Sequence, residues 1–506
     1  MFLVALFMLF ICLIQKKNIK VPYIGLTLFL ISFIPLLQYW LGIVYFFGEA
    51  ITFFFYMLAL ATIFTIGVNF SFVDQVKKNQ VIIIFVSIIL VACVFSVWIQ
   101  LRQWLLFEGS IWVIDIPPNG RPFANMAQPN QLSTLLIMGL VSIIYLFEKQ
   151  YLHKFSACFL TFFLQFGLVL TQSRTAWVIA LFFLLWWLLK SKVSARLTVK
   201  SLIIWYFIFF LLWFYLPYLS RDLGVTSVRG LTDRATTGLD RLGMWQQIFA
   251  ILKDAPLFGY GWGQLNVAQL SNNSDMIATP LFGYSHNLFL DILVWNGLGL
   301  GLILVIFMTL FLANLAKSLN DRESIVLFAI IGAVFIHSMF EYPFAYAYFL
   351  LPVGFLFGFL YSKQSIKLFS IQKKWCAVYL FSCSFLMIFY LKDYKEVEYE
   401  YELMRYENAQ LRNINTEESK RKINLLDNLL EYIWFVRQPL DDKVTKFDLD
   451  RIRKIVYRYP DRPVLYKYIQ VLYLNNKNEE ANKMLKLFNS FFNEKLTKEK
   501  VNTLSK

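Results

Sequence analysis

Roughly twelve apolar runs, most of about 17 to 25 residues and so long enough to cross a bilayer as helices, divide this chain between its first residues and Leu391. In hydrocarbon a backbone must satisfy its own hydrogen bonds, so runs of this kind can only be helices or strands of a closed barrel, and their length selects helices. With 58% hydrophobic, 18% aromatic and 16% charged residues, the chain is too apolar for an ordinary soluble domain. The expected fold class is therefore all-α and polytopic.

Membrane helices are expected near Val21 to Gln38, Ala50 to Phe70, Val81 to Trp98, Gln131 to Phe147, Phe155 to Leu170 and Thr175 to Leu189. Others follow near Ser201 to Leu216, Asn287 to Leu312, Ser324 to Met339, Phe344 to Tyr361 and Trp375 to Leu391. The opening run, Met1 to Ile14, lacks a basic leader and a small-residue cleavage site, and reads as a further membrane segment rather than a signal peptide. Cys12, Cys93, Cys158, Cys376 and Cys383 all fall within apolar runs, without metal-ligand spacing.

Charge sorts the loops. The net charge is +15, but its basic residues are spread over short loops and a polar tail, a placement that speaks for membrane topology and not for nucleic acid. Lys16, Lys17 and Lys20; Lys77 and Lys78; Lys149 and Lys154; Lys190, Lys192, Arg196 and Lys200; Lys317 and Arg322; and Lys363, Lys367, Lys373 and Lys374 mark every second loop. The positive-inside rule makes these loops cytoplasmic. The Gln38 to Glu49 segment, the Arg102 to Pro129 loop, the Thr171 to Arg174 turn, the long Pro217 to Ser285 interval and the C-terminal tail then face outward. Tyr39, Trp40, Trp104, Trp112 and Tyr218 stand near segment ends as interfacial anchors should. Residues 1–391 thus form a membrane domain with a large outward loop at 217–285. Residues 392–506 turn abruptly charged and helical and end in two amphipathic helices joined at Asn475 to Asn478, a tetratricopeptide-like hairpin.

Polar residues gather at the outward ends. In the stretch PLFGYSHNLFLD, Ser285 is the expected N-cap, which would place His286 in the first turn of a membrane helix. The helix dipole there disfavours a second positive charge, so a neutral imidazole able to accept a hydroxyl proton is expected. Taken alone, His286 is more simply an interfacial polar residue beside Tyr284. Gln128, Asn130 and Gln131 crowd amides onto the start of another helix; Pro129 and Asn130 are explained by starting and capping it, while Gln128, Gln131 and Arg121 are better explained by a polar cavity. Arg174, in a very short turn, calls for an anion, either Glu49, Asp115 or Glu341 as a salt bridge or a phosphate as a ligand.

In the long outward loop Arg241 heads an amphipathic helix (Leu242, Trp245, Ile248, Phe249, Leu252) expected to lie on the membrane surface. It is followed by Gly259, Gly261 and Gly263, which form either an anion-holding turn or an ordinary one. Gly297, Gly299 and Gly301 suit close helix packing rather than a nucleotide fingerprint. Arg221, Arg229 and Arg234 add charge to the same loop, and His337, Glu341 and Tyr342 end a further helix, with Glu341 a ready partner for an arginine.

No carboxylate pair suited to a metal lies on this face; the one DxD, Asp448 to Asp450, is in the tail. Arginines and one base without a metal or other cofactor suit transfer from an anionic leaving group such as a lipid pyrophosphate. The motifs GRPFANMAQPNQLSTLL, SRTAW, R-x-x-MW-x-x-I…PLFGYGWG and SHN-LFLD-LVWNG together resemble the bacterial protein O-oligosaccharyltransferases of the PglL type, which belong with the O-antigen ligases and Wzy polymerases. The resemblance covers Gly42 to about Gly358.

It implies a GT-C-like, metal-independent enzyme of the bacterial inner membrane. Its active site would lie on the periplasmic face and move a preassembled oligosaccharide from undecaprenyl pyrophosphate to Ser or Thr of a periplasmic protein such as a pilin. His286 matches the family's essential histidine, Arg241 its loop arginine and Arg174 a candidate pyrophosphate ligand, with Arg121 beside it. Gln128, Asn130, Gln131, Asn287, Glu341 and Tyr342 make up the supporting polar site. The O-antigen ligase and glycan polymerase alternatives would use the same groups on a sugar hydroxyl. A transporter would explain the helices, but no paired internal repeats or matched broken helices are evident.

Overall fold

The computed structural model describes residues 2–15, 18–107, 111, 113–116, 120–190, 196–225, 240–272, 280–364, 366–411, 423–439 and 444–503. Lys16, Lys17, Trp112, Lys192, Arg229 and Arg234, used above, lie outside the described residues. The chain opens with α1 (Phe2–Gln15), strand β1 (Asn18–Pro22), α2 (Tyr23–Ile31) and α3 (Ile34–Trp40). It continues with α4 (Phe47–Phe70), α5 (Gln75–Trp104), α6 (Pro129–Glu148), α7 (Lys154–Leu170), α8 (Arg174–Leu189) and α9 (Val199–Asp222). The long loop carries α10 (Asp240–Lys253) and α11 (Leu265–Ser271). Next come α12 (Leu288–Ser318), α13 (Arg322–His337), a 3₁₀ turn (Pro343–Ala345), α14 (Ala347–Tyr361), β2 (Leu368–Gln372) and α15 (Lys373–Asn408). The tail adds α16 (Asp427–Arg437), α17 (Lys446–Arg458), α18 (Arg462–Leu474), α19 (Asn478–Phe492) and α20 (Lys498–Thr503).

Among the described residues, seven helices are long and apolar enough to cross a membrane, namely the α2–α3 pair taken together, α4, α5, α6, α9, α12 and α15. Shorter apolar helices at Phe2–Ile14, Lys154–Leu170, Arg174–Leu189 and Ala347–Tyr361 accompany them, and the chain is a multi-pass helical membrane protein. Helix α4 packs against α1, α2, α3 and α14. A Cβ at Gly67 would collide with the Phe355 carbonyl and one at Gly358 with the Phe64 carbonyl, so α4 and α14 touch backbone to backbone. Strands β1 and β2 pair antiparallel, Asn18 opposite Gln372, and the Asn69 amide brackets Lys20 by accepting from its N–H at 2.9 Å and donating to its carbonyl at 2.7 Å.

The basic loop residues collect at one end of this bundle. Lys149 and Lys363 each lie 3.6 Å from Glu323, Arg322 reaches Glu148 at 3.0 Å, and Lys190 donates to the Leu319 carbonyl at 2.7 Å. Residues Asn130 at the start of α6 and His337 at the end of α13 lie at the other end, where the polar motifs meet.

The composition change at Leu391 falls inside α15, which runs unbroken to Asn408. The tail helices share one apolar core with Phe46 before α4 and with Val267 and Leu270 of α11. Three contacts lock this joint. The Asp427 carboxylate accepts from Phe47 N at 3.1 Å and Gly48 N at 2.6 Å, capping α4 where Phe46 offers no side-chain cap. Arg458 pairs with the buried Glu49, and the Tyr459 hydroxyl donates to the same carboxylate at 3.1 Å.

Candidate active site

The site is assembled from the beginning of α12, the end of α13, the head of α10 and the first turn of α6. Helix α12 starts at Leu288, and its N-cap is Asn287, whose side-chain oxygen accepts from Phe289 N at 3.0 Å and Leu290 N at 3.2 Å. The expected Ser285 cap and first-turn histidine are thus corrected: His286 stands just before the cap, outside the helix, with φ of +57°. Ser285 is held elsewhere, its N–H donating to Asp291 at 2.8 Å and its carbonyl accepting from Trp245 Nε1 at 3.1 Å. On the other side the Asn287 amide donates to Met339 O at 3.2 Å, and Leu288 N donates to Ser338 O at 2.8 Å. Left-handed backbone at a non-glycine residue persists only where its surroundings over-determine it, and here they do.

What faces His286 is a carboxylate rather than a helix end. Its Nδ1 lies 2.7 Å from Glu341 Oε2, while Arg241 Nη2 and the Asn130 amide, at 2.9 Å, both donate to Oε1. Glu341 is 4% exposed, whereas His286 and Arg241 are 24% and 28% exposed, so a buried anion anchors two groups that reach the surface. Burial pushes the Glu341 carboxyl up, but the hydrogen bond and charge of His286 and the charge of Arg241 outweigh it and hold the group below the usual range.

The remaining expected residues take different places. The Tyr342 ring meets His286 edge-on at 5.1 Å and stacks on Tyr284 at 4.8 Å, whose phenol burial pushes up to about 12. Gln128 is the N-cap residue of α6, not Asn130; its side-chain oxygen accepts from Gln131 at 3.3 Å, and the Tyr348 hydroxyl donates to Gln131. Arg121 donates to the Thr171 and Gln172 carbonyls at 3.3 and 3.4 Å, closing the end of α7, and Arg174 opens α8 on the protein surface. Of the carboxylates expected for Arg174, Glu49 holds Arg458 and Glu341 holds Arg241.

The glycine loop is a packing device. Gly259, Gly261 and Gly263 all have positive φ, and Tyr260 N and Gly261 N donate to Val294 O and Trp295 O at 2.9 and 3.1 Å. Those carbonyls are freed by a break in α12 at Gly297, where φ is +71° and a Cβ would strike Leu257. Helix α10 buries Met244, Ile248, Ile251 and Leu252 against α12 and leaves Leu242 and Phe249 about half exposed, so its apolar face is turned relative to the one expected.

Two contributors escaped the sequence reading, and a third, Trp245, was read only as part of an apolar face and a motif. Trp245 lies one turn from Arg241 on the same face of α10, so a single helix supplies both the Glu341 contact and the Ser285 contact. Asp291, fully buried one turn into α12, carried the signal of an acid in an apolar run. Thr134 pairs with the buried His337 Nδ1 at 2.8 Å, behind the Asn130 contact.

Comparison with known proteins places the chain in a family. A family profile described as protein glycosylation ligase matches residues 122–147, one described as O-Antigen ligase matches 157–306, and one described as virulence factor membrane-bound polymerase, C-terminal, matches 325–504. The chain is 31% identical over 498 residues to a general O-oligosaccharyltransferase of Acinetobacter baylyi, covering 96% of this chain and 86% of the relative. It is 30% identical over 492 residues to a ComP-specific O-oligosaccharyltransferase of the same organism, covering 96% and 88%. No solved structure matches.

Proposed function

We propose how this chain, which belongs to the O-oligosaccharyltransferase family, transfers an oligosaccharide from a lipid-linked donor to protein hydroxyls: His286 is the base, Arg241 binds the leaving group, and Glu341 holds both. A carboxylate only accepts hydrogen bonds, so Nδ1 of a neutral His286 carries the proton it shares with Glu341, and Nε2 is left as the basic atom. A Ser or Thr hydroxyl attacks the anomeric carbon of the donor sugar. The new glycosidic bond forms as the bond to the donor phosphate breaks, its electron pair leaves with the pyrophosphate, and the hydroxyl proton passes to Nε2. A guanidinium has five N–H donors, and the Arg241 Nη2 contact with Glu341 directs the others toward the growing negative charge.

The donor is an undecaprenyl pyrophosphate glycan and the acceptor a pilin-like or other periplasmic protein. The reaction takes place on the periplasmic face of the inner membrane, the end of the bundle away from the basic loops. A cavity of about 430 Å³ opens beneath Tyr284 and Leu288, walled by Phe53, Phe64, Trp295 and Phe311, and suits the apolar polyprenyl chain. Arg121 and Arg174, at the same end of the bundle, are proposed to steer the anionic donor. Gln128, Gln131, Asn287 and Tyr342 position the helix starts and ring surfaces around it.

The observation that carries this reading is the single buried carboxylate shared by the histidine and the arginine. The test is co-expression with a lipid-linked glycan pathway and candidate pilins, followed by intact mass of the pilins. A glycan-sized mass increase that disappears in His286→Gln supports the reading; glycan added only to lipid A or to further glycan would assign a sugar acceptor and overturn it.

A further inference from the structure

At the end of the bundle away from His286, helices α6, α7, α8 and α9 enclose a cavity of about 550 Å³, within the ~300–1,000 Å³ range of ligand sites. Its walls are mainly apolar, with Thr161, Gln165 and Ser201 among them. Into it projects Gln165, 92% buried, whose amide donates to the Trp205 carbonyl at 3.1 Å while its Oε1 is buried without a hydrogen-bond partner.

One mouth of the cavity carries two cations, Lys154 and Arg196, beside the buried Glu148, whose carboxylate accepts from Arg196 N at 3.0 Å and Leu197 N at 2.7 Å and is paired with Arg322 at 3.0 Å. Lys154 begins α7, and Arg196 precedes the Thr198 cap of α9, with its guanidinium donating to the Phe147 carbonyl at 2.5 Å and lying 4.3 Å from the Phe147 ring. The N-termini of α7 and α9, of 17 and 24 residues, end at the same mouth and add their dipoles. The outer faces of these helices expose Phe159, Phe162 and Phe207, which places the cavity on the lipid-facing edge of the bundle.

We infer that this cavity binds an anionic glycerophospholipid of the leaflet opposite the catalytic site, with an acyl chain among α6, α7 and α9 and the phosphate against Lys154 and Arg196. Two cations and two helix N-termini favour an anionic over a zwitterionic headgroup. The sugar donor is a poor occupant. Asn130 touches the Glu341 cluster while Phe147 lies at the cavity mouth, and 17 residues of α6 separate them by about 25 Å. A pyrophosphate held at one end cannot react at the other.

Cys158 lines the cavity and is partly exposed, whereas Cys12, Cys93, Cys376 and Cys383 are buried, so it serves as a reporter. The purified full-length protein is treated with N-ethylmaleimide in micelles containing phosphatidylglycerol, phosphatidylcholine or undecaprenyl phosphate, and adducts are counted by intact mass. Phosphatidylglycerol is expected to slow Cys158 labelling at least fivefold over phosphatidylcholine. The protection should fall away in Lys154→Gln and in Lys154→Gln/Arg196→Gln. Equal protection by both phospholipids, stronger protection by undecaprenyl phosphate, or protection that survives the double substitution would each overturn the proposal. None of these readouts depends on glycan transfer, so the outcome is separable from the catalytic assignment.

Discussion

At the scale of single residues, the proton on His286 is decided by what Glu341 can accept. Glu341→Gln keeps the shape but supplies an amide that can donate to Nδ1 and leave the proton on Nε2, so transfer should drop by about 10² to 10⁴, as for loss of a general base. His286→Gln should lose a similar factor while folding normally, and His153→Gln, at the start of α7, should not. Both are read by the intact mass of a co-expressed acceptor; wild-type transfer by either site variant would remove the dyad from the mechanism. Arg241→Lys keeps the charge but loses the planar fork, and donor affinity should weaken with it. Glu341 also links stability to pH. Its folded carboxyl sits below the ordinary value of 4.5, so its contribution is fully present above that value and is lost as pH falls through the depressed folded one. Thermal unfolding of wild type and Glu341→Gln should therefore differ most near neutral pH and converge in strong acid.

At the scale of elements, two devices rest on partners distant in sequence, a remote helix cap and a break inside a helix. Asp427 caps α4 from 379 residues away, and Asp427→Ala should destabilise the joint by about 1 kcal/mol, measured as a lower midpoint of thermal unfolding in detergent. The break in α12 is the other device. Gly297→Ala introduces a Cβ into the Leu257 backbone at a positive φ, and a cost of about 1–3 kcal/mol is expected, with transfer impaired because the glycine loop and α10 shift with it. Unchanged stability in that variant would show that the kink can straighten.

At the scale of the whole molecule, the tail buttresses the end of the bundle that holds the proposed site. Glu49 and Arg458 have side chains only 4% and 19% exposed, and Arg458→Met would strand the carboxylate, costing about 3–5 kcal/mol. The double substitution Glu49→Leu/Arg458→Met should recover most of that loss, because neither charge is then left buried; failure to recover would mean that the pair shapes the joint and does more than neutralise it. The same geometry puts the tail and Glu341 at one end of the bundle, which the positive-inside reading makes the outward one. A reporter active only in the cytoplasm, fused after Lys506, should be silent, and a strong signal would reverse the sidedness.

The helical membrane character of the chain was legible from its apolar runs, because hydrocarbon forces each crossing segment to satisfy its own backbone and so to declare itself locally. The resemblance of the motifs was legible too and matched His286 and Arg241, while Asn130 and Glu341 stood out from their polar character at helix ends, each as a separate residue. What joins them was not legible. Glu341 is 55, 100 and 211 residues from His286, Arg241 and Asn130, and no periodicity or capping rule reaches across such intervals. For the same reason the Ser285 cap was misread, since Asp291 and Trp245 claim Ser285 and leave Asn287 to begin the helix. The β1–β2 pair and the Asp427 cap also depend on partners hundreds of residues away. Sequence by itself determined which segments are helices and which residue types were available for chemistry. Tertiary structure alone decided that one buried carboxylate should hold the histidine and the arginine together, because only folding brings an anion out of water beside the two groups that compensate it.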